Sequence, residues 1–251
     1  MTILSSPLIS IITVCYNAEK HIENTIQSVA AQTYPHIQYI LVDGGSTDHT
    51  LEIIGRHGAT VTKLIPGPDQ GLYDAMNKGM NAADGDYLLF LNADDQLDTP
   101  TILEKIFSSC TGADVYYGET IFIDESGVAR GLRSVRTPHR LPARLDWKSL
   151  QMGMSVSHQA FIIKSILAVP FDTRYQVCAD IDWMIRCLKA CKLTCNTQLV
   201  ISRFTEGGMS KKNQRLAWKE RYIILARHYG IIPNLINHAG IVLRWLTGPR
   251  Y

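Results

Sequence analysis

Leu8-Ile9-Ser10-Ile11-Ile12-Thr13-Val14-Cys15 is a nearly unbroken, β-branched apolar run, the pattern of a strand covered on both faces. Residues 37–42, 61–65 and 87–91 repeat it. Between them apolar residues recur at helical spacing: Ile22, Ile26 and Val29, then 51–54, then 71–83, where Gly79 is a weak point. Asn17 and Asp48 stand where helix caps belong. Strand and helix alternate, so the first 98 residues predict a mostly parallel sheet with right-handed crossovers. Polar, Gly-rich clusters follow the strand ends at 16–17, 43–48, 66–71 and 92–95. In an open α/β sheet, ligands bind beyond the carboxyl ends of the strands, so these four clusters are expected to share one rim.

The second half is less regular. Residues 113–130 predict two strands joined at Glu125-Ser126-Gly127. Residues 130–150 hold six Arg/Lys, two Pro and Trp147, and suggest a mobile loop. Helices are expected over 180–192, 214–228 and 233–246, with an edge strand over 194–202. The last two helices carry basic residues, and Leu235, Ala239, Val242 and Leu246 form a stripe beside Arg244 and Trp245. Such a helix lies on anionic lipid or packs on the core.

A chain of 251 residues, 46% hydrophobic and 19% charged, builds a core without a disulfide or metal staple. No stretch is long and apolar enough for a membrane span, and the N-terminus lacks the basic region of a signal peptide. Six cysteines without a CxxC pair read as apolar packing residues of a reducing cytosol, though Cys187, Cys191 and Cys195 would stack if one helix ran through them. The net charge of +2 hides a division: residues 1–125 carry 5 Lys/Arg against 17 Asp/Glu, and residues 126–251 carry 20 against 6. An acidic half suits a metal ion and a basic half suits phosphates or an anionic surface; two mutually attracting solvated faces are the alternative.

Neither GxGxxG after a strand nor GxxxxGK[ST] is present, which removes the usual dinucleotide and P-loop sites. Acidic strand ends remain. Asn92-Ala93-Asp94-Asp95 offers adjacent carboxylates whose repulsion a divalent cation relieves. The same residues, with Asp98, would also cap a helix beginning near residue 100. Asp43 can accept from a base N–H or ribose hydroxyls, or simply close a tight turn.

Taken together, Thr13-Val14-Cys15-Tyr16-Asn17, Val42-Asp43-Gly44-Gly45-Ser46-Thr47-Asp48, residues 67–79 and Gly85-Asp86-Tyr87-Leu88-Leu89-Phe90-Leu91-Asn92-Ala93-Asp94-Asp95 resemble the ordered signature of glycosyltransferase family 2 across most of residues 8–98. The nearest likeness is to bacterial exopolysaccharide and lipopolysaccharide enzymes. The resemblance implies a GT-A fold (Rossmann-like α/β, helices on both faces of the sheet), a nucleotide-sugar donor, Mg²⁺ or Mn²⁺, and inversion at the anomeric carbon. It places Thr13, Tyr16, Asn17 and Glu19 in the nucleotide pocket, Asp43 on the base, and Asp69 and Asn77 at the uridine and ribose wall. Asn92-Ala93-Asp94 stands at the family's Asp-x-Asp, with Asn in the first place. Asp94, with Asp95 beside it, is then the metal ligand. Ala75-Met76-Asn77-Lys78-Gly79 lacks the frequent Arg, which leaves Lys78 for the pyrophosphate. In Ala179-Asp180-Ile181-Asp182, Asp180 falls at the catalytic base, or else caps a helix. Asp182 is its rival, about 200° round the helix. His158 in Ser157-His158-Gln159 is a candidate for acceptor contact, as is Asp182. Gly207-Gly208-Met209-Ser210 is an anion nest or a link. Gln214-Arg215-Leu216-Ala217-Trp218 breaks the Gln-x-x-Arg-Trp of processive synthases, which favours addition of single sugars.

The expected organisation is a GT-A unit over 1–205 (nucleotide half 1–98, acceptor half 99–205) and a basic helical extension over 206–251. The expected reaction moves a sugar from a UDP-sugar to a saccharide, polyprenyl-linked acceptor in the cytoplasm, with peripheral contact to the inner face of the membrane and no nucleic-acid partner. The rival readings are a sugar-nucleotidyltransferase and an inactive nucleotide-sugar-binding module.

Overall fold

The structure, a computed structural model, describes residues 6–207 and 213–238. Four parallel strands, β1 (Ile9–Cys15), β2 (Ile37–Asp43), β3 (Lys63–Pro66) and β4 (Tyr87–Phe90), alternate with α1 (Ile22–Ala30), α2 (Thr50–Arg56) and α3 (Leu72–Asn81). After β5 (Gln96–Leu97) and α4 (Ile102–Ser109) come β6 (Val115–Ile123), β7 (Ala129–Leu132), α5 (Arg133–Arg136), β8 (Phe161–Lys164), α6 (Ala179–Ala190), β9 (Thr194–Thr205) and α7 (Gln214–Tyr229). The sheet order is β3-β2-β1-β4-β8-β6-β9-β5, with β7 paired to β6. β8 runs antiparallel to both β4 and β6, so it joins the parallel half to the second half.

Alternation within β1 divides the core. Ile9 and Ile11 pack with α1, α2 and α4, while Ile12 and Val14 pack with α3, α6 and α7. Both faces are covered, which is why β1, β2 and β4 read as continuous apolar runs. Gly79 is not a weak point but a contact: a Cβ there would meet Ile12 Cγ2 at 2.4 Å, so its absence lets α3 lie against β1. Phe171 and Trp183 stack with centroids 4.8 Å apart, and Phe90, Tyr73 and Phe161 surround them, fixing α6 against β4 and α3.

Several sequence expectations change. Asn17 caps no helix; α1 begins at Ile22, and Asn17 takes a left-handed φ of 50° in the β1 loop. Neither Asp94, Asp95 nor Asp98 caps α4, whose N-cap Thr101 makes no side-chain cap bond; Asp98 pairs with Arg203 at 3.0 Å. Residues 130–150 are tied down: Arg133 donates to the Ser155 carbonyl, Tyr117 to those of Pro142 and Ala143, and the Trp147 and Tyr229 rings stack. β9 is flanked by β6 along its length and by β5 only at Ser202 and Arg203, so the rest of the expected edge strand has a strand on one side alone among the described residues. Cys110 and Cys195 are joined in a disulfide, contrary to the reading of all six as free thiols; α6 ends at Ala190, short of a Cys187–Cys191–Cys195 stack.

α7 buries Ala217, Glu220, Ile224 and Leu225 against the α6 face of the core, and leaves Trp218 and Ile223 exposed. A helical segment over 231–238 follows. Most of the Leu235–Leu246 stripe and the 207–210 nest lie outside the described residues. Among the described residues, no helix is long and apolar enough to cross a membrane.

Candidate active site

Because β1 to β4 are parallel and in register, with Cys15 opposite Asp43 and Asp43 opposite Pro66, the loops that follow them leave one edge of the sheet. Hydrogen bonds knit the first two. Asn17 donates its backbone N–H to Ser46 Oγ and accepts the Thr47 N–H on Oδ1, each at 2.9 Å. Glu19 pairs with His49 Nδ1 at 2.8 Å, and Asp48 accepts from the Thr50 amide and hydroxyl and from the Glu19 amide. The Glu19 carboxyl is held low by the His49 amide and ring. The third loop closes on the second: a Cβ on Gly44 would sit 2.3 Å from Asp69 Oδ2, so the missing side chain makes room for that carboxylate. Asp69 Oδ1 accepts from the Gly71 amide.

Asp43 is wholly buried, and its oxygens accept from the Gly45 and Ser46 amides and the Ser46 hydroxyl. It shapes the loop from within. Tyr16, 64% exposed, stands on the rim. Thr13 is not in the pocket: it is buried in β1 and accepts from the Tyr39 hydroxyl at 3.2 Å. Asn77 is also engaged elsewhere, with Nδ2 donating to the Phe171 carbonyl and Oδ1 accepting its amide. Its role is to join α3 to the strand-free segment before α6. Lys78 donates to the Pro68 carbonyl at 2.9 Å and pairs with Asp74 at 3.1 Å, bracing the 66–71 loop.

The fourth loop is anchored from below. Thr25 donates its hydroxyl to the Ala93 and Asp95 carbonyls, and Thr205 donates to that of Asp94. Ala93 is buried and Asp94 half-buried, at a cavity of about 90 Å³ lined also by His21, Asn24, Asp124 and Glu125. Asp95 departs from its predicted role as a metal ligand. It is fully buried, Gln159 donates to its Oδ2 at 2.7 Å, and among the described residues Oδ1 has no hydrogen-bond partner. Burial and the neighbouring Asp94 push its carboxyl well above the ordinary range. Among the described residues no group of three or more His, Cys, Asp or Glu could hold a metal alone. A hard cation carried on a diphosphate needs only one or two carboxylates, and Asp94 fits that requirement.

From this loop a chain of contacts reaches α6. Asn92 Nδ2 lies 3.4 Å from His158 Nε2, and His158 Nδ1 lies 3.2 Å from Asp180 Oδ2. Asp180 Oδ1 accepts the Ile181 amide, and the Tyr73 hydroxyl, which donates to the Val177 carbonyl, lies 3.4 Å from it. Burial first, then the Asp180 charge, push the Tyr73 phenol well up, so it stays a donor. His158 thus spends both ring nitrogens inside the site, against its predicted contact with an acceptor. Asp182 is also corrected. It is buried on another face of α6, with Arg186 Nε at 2.6 Å and His228 Nε2 at 2.7 Å. Burial works to raise its carboxyl, and those two hydrogen bonds outweigh it.

Three contributors went unread in the sequence. Gln159 was visible only as the neighbour of His158, and Tyr73 only as part of a motif. Glu220 carried no signal at all. It sits on α7 and accepts the amides of Gln176, Val177 and Cys178 at 2.7, 2.9 and 2.9 Å, holding the start of α6.

The Glycosyl transferase family 2 model matches residues 10–169. The chain is 33% identical over 218 residues to a PGL/p-HBAD biosynthesis glycosyltransferase of Mycobacterium tuberculosis, covering 82% of this chain and 80% of the relative. S. aureus TarS 1–349 superposes with a TM-score of 0.70 at 16% identity, over 97% of this chain and 75% of TarS. Glucosyl-3-phosphoglycerate synthase from M. tuberculosis, solved with Mn²⁺, UDP and glucosyl-3-phosphoglycerate, gives 0.62 at 17% identity, over 89% of this chain and 81% of the synthase. At such identities these two likenesses concern the fold, which is GT-A. The family match and the mycobacterial relative carry the further conclusion: this chain belongs to glycosyltransferase family 2 and is a glycosyltransferase.

Proposed function

We propose that the protein is an inverting, metal-dependent glycosyltransferase that moves one sugar from a UDP-sugar to a saccharide hydroxyl in cell-surface polysaccharide synthesis. The observation that carries this reading is the path Asn92–His158–Asp180, which ties the donor motif to the one carboxylate on α6 that is neither paired with a cation nor fully buried. In the reaction, Asp180 takes the proton from the acceptor hydroxyl. The hydroxyl oxygen forms the new bond to the anomeric carbon from the face opposite the diphosphate, and the bond to the diphosphate breaks. Tyr16 offers a ring against which the base stacks, and the 43–48 and 66–71 loops supply backbone donors to the nucleoside. Asp94 would hold Mg²⁺ or Mn²⁺, which when bound neutralises charge on the departing diphosphate.

Relatives support the donor class: TarS is solved with UDP and with UDP-GlcNAc, and the synthase with UDP and Mn²⁺. Support for a lipid-linked acceptor at an anionic membrane comes from Ile231, Ile232 and Ile236, which are 64%, 72% and 68% exposed, in a half of the chain rich in Lys and Arg. The reading keeps the domain division at residue 205 as a functional one, with the donor rim in 1–98.

Asp180→Asn decides the matter. With a panel of UDP-sugars and saccharide acceptors, turnover is expected to fall by about 10²-fold or more, while UDP binding by calorimetry in Mn²⁺ is unchanged. Near-normal turnover in that variant removes Asp180 as the base.

A further inference from the structure

We propose that His158 is a positioning residue whose Nδ1–H holds the Asp180 carboxylate, and that the Asn92 amide fixes the proton on that nitrogen. The inference rests on Asp180 being the base and adds a residue, a tautomer and a reason for the Asn in the first place of the Asn92-Ala93-Asp94 motif.

The argument is one of donors and acceptors. Asp180 Oδ2 is 3.2 Å from His158 Nδ1, and a carboxylate accepts only, so Nδ1 must carry a hydrogen. A neutral imidazole then has a bare Nε2, which needs a donor. Asn92 Nδ2 lies 3.4 Å away and supplies one. A carboxylate in place of Asn92 supplies none. It would require a hydrogen on Nε2, and so either a doubly protonated ring between two carboxylates or the proton withdrawn from Nδ1. His158 is buried, at 8% exposure, and its ring stands on the short turn His158–Ala160 that opens β8. The next residue, Gln159, is fixed by Asp95. The ring therefore cannot swing out to trade partners. The arrangement aims the remaining lone pairs of Asp180.

Two side chains separate the roles of the two nitrogens. In His158→Asn the amide nitrogen falls near the position of Nδ1 and still donates to Asp180. In His158→Gln it falls near Nε2 and does not. We expect His158→Asn to keep kcat within about 5-fold of the parent and His158→Gln to lose about 10- to 100-fold, the worth of a hydrogen bond to a charged group, with the KM for the UDP-sugar little changed in both. A packing role alone predicts the reverse order, since Gln is nearer to His in size. Independently of activity, ¹⁵N NMR of the ligand-free parent is expected to show His158 neutral with hydrogen on Nδ1, and Asn92→Asp is expected to move hydrogen onto Nε2. Hydrogen on Nε2 in the parent, or His158→Gln as active as His158→Asn, overturns the inference. If Asp180→Asn retains turnover, the reading of the base fails, and the NMR result still stands or falls alone.

Discussion

Two positions apart on one helix, Asp180 and Asp182 meet different surroundings. Asp180 faces His158 and the rim; Asp182 is enclosed by Arg186 and His228. Helical spacing alone separated them, since residues two apart cannot share a face. Their partners could not be read, because His158 and His228 come from distant stretches of chain. The same holds at Gly44. Its substitution to Ala would press a methyl onto Asp69, displacing the carboxylate rather than the backbone. We expect Gly44→Ala to weaken UDP binding by about 10-fold in calorimetry, a cost of about 1.4 kcal/mol, with the melting temperature nearly unchanged; unaltered affinity would show that Asp69 plays no part at the rim. Of the predicted site residues, Tyr16, Asn17, Glu19 and Asp69 stand in loops that follow β1 and β3 on one edge of the sheet, and Asp43 lies beneath them at the end of β2. Those whose side chains fall inside elements, Thr13 in β1 and Asn77 in α3, were spent on packing. A motif shows that a residue type recurs, and only burial shows which way it points.

Elements were the most legible level of the chain. The parallel half followed from continuous apolar strands interrupted by helical spacing, because a sheet covered on both faces leaves that signature in the chain itself. In the second half β6, α6, β9 and α7 also fall close to their expected spans, but their order in the sheet was not legible, since β8 and β9 owe their places to pairings with β4 and β6 across long gaps in sequence. Least legible was the seat of α6. The segment that leads into it is held by Glu220, a carboxylate within α7 that accepts the backbone amides of Gln176, Val177 and Cys178 in a buried position. Glu220→Gln keeps one acceptor oxygen and loses the charge. Urea unfolding should report a loss of about 2–3 kcal/mol, as for hydrogen bonds to a charged group, and kcat should fall while the affinity for UDP holds. A variant as stable as the parent would show that α6 keeps its place without that carboxylate.

The whole molecule divides into an acidic and a basic half, and they meet in ion pairs such as Asp98–Arg203 and Asp114–Lys164. Among the described residues eight carboxylates lie below their ordinary range, Asp172, Asp114 and Asp182 among them. Asp172 is held at about 2, chiefly by Arg174; Asp114 and Asp182 are lowered by hydrogen bonds that outweigh their burial. A depressed folded-state pKa contributes stability in full above the unfolded value, near 4, and loses it as pH falls through the folded value. Asp95 works the other way, since its carboxyl is raised. The two act in different windows: protonation of Asp95 stabilises the fold as pH falls towards about 4, and protonation of the lowered carboxylates makes the urea midpoint fall below about pH 4. In Asp182→Asn the fall should be shallower. A midpoint that goes on rising below about pH 4 would overturn this prediction.

The match to the family model stops at residue 169, ahead of both α6 and α7, while the likeness to the mycobacterial relative covers 82% of the chain and so runs through α6. On the proposed reading, the part that grips the sugar carrier lies inside the family match, whereas Asp180 lies beyond it, in a stretch that only the likeness to the mycobacterial relative reaches. Because β9, α6 and α7 complete the sheet and its core, a chain cut at residue 169 would bare the apolar faces that Trp183 and Leu225 cover, and is expected to lose the carrier's seat together with turnover.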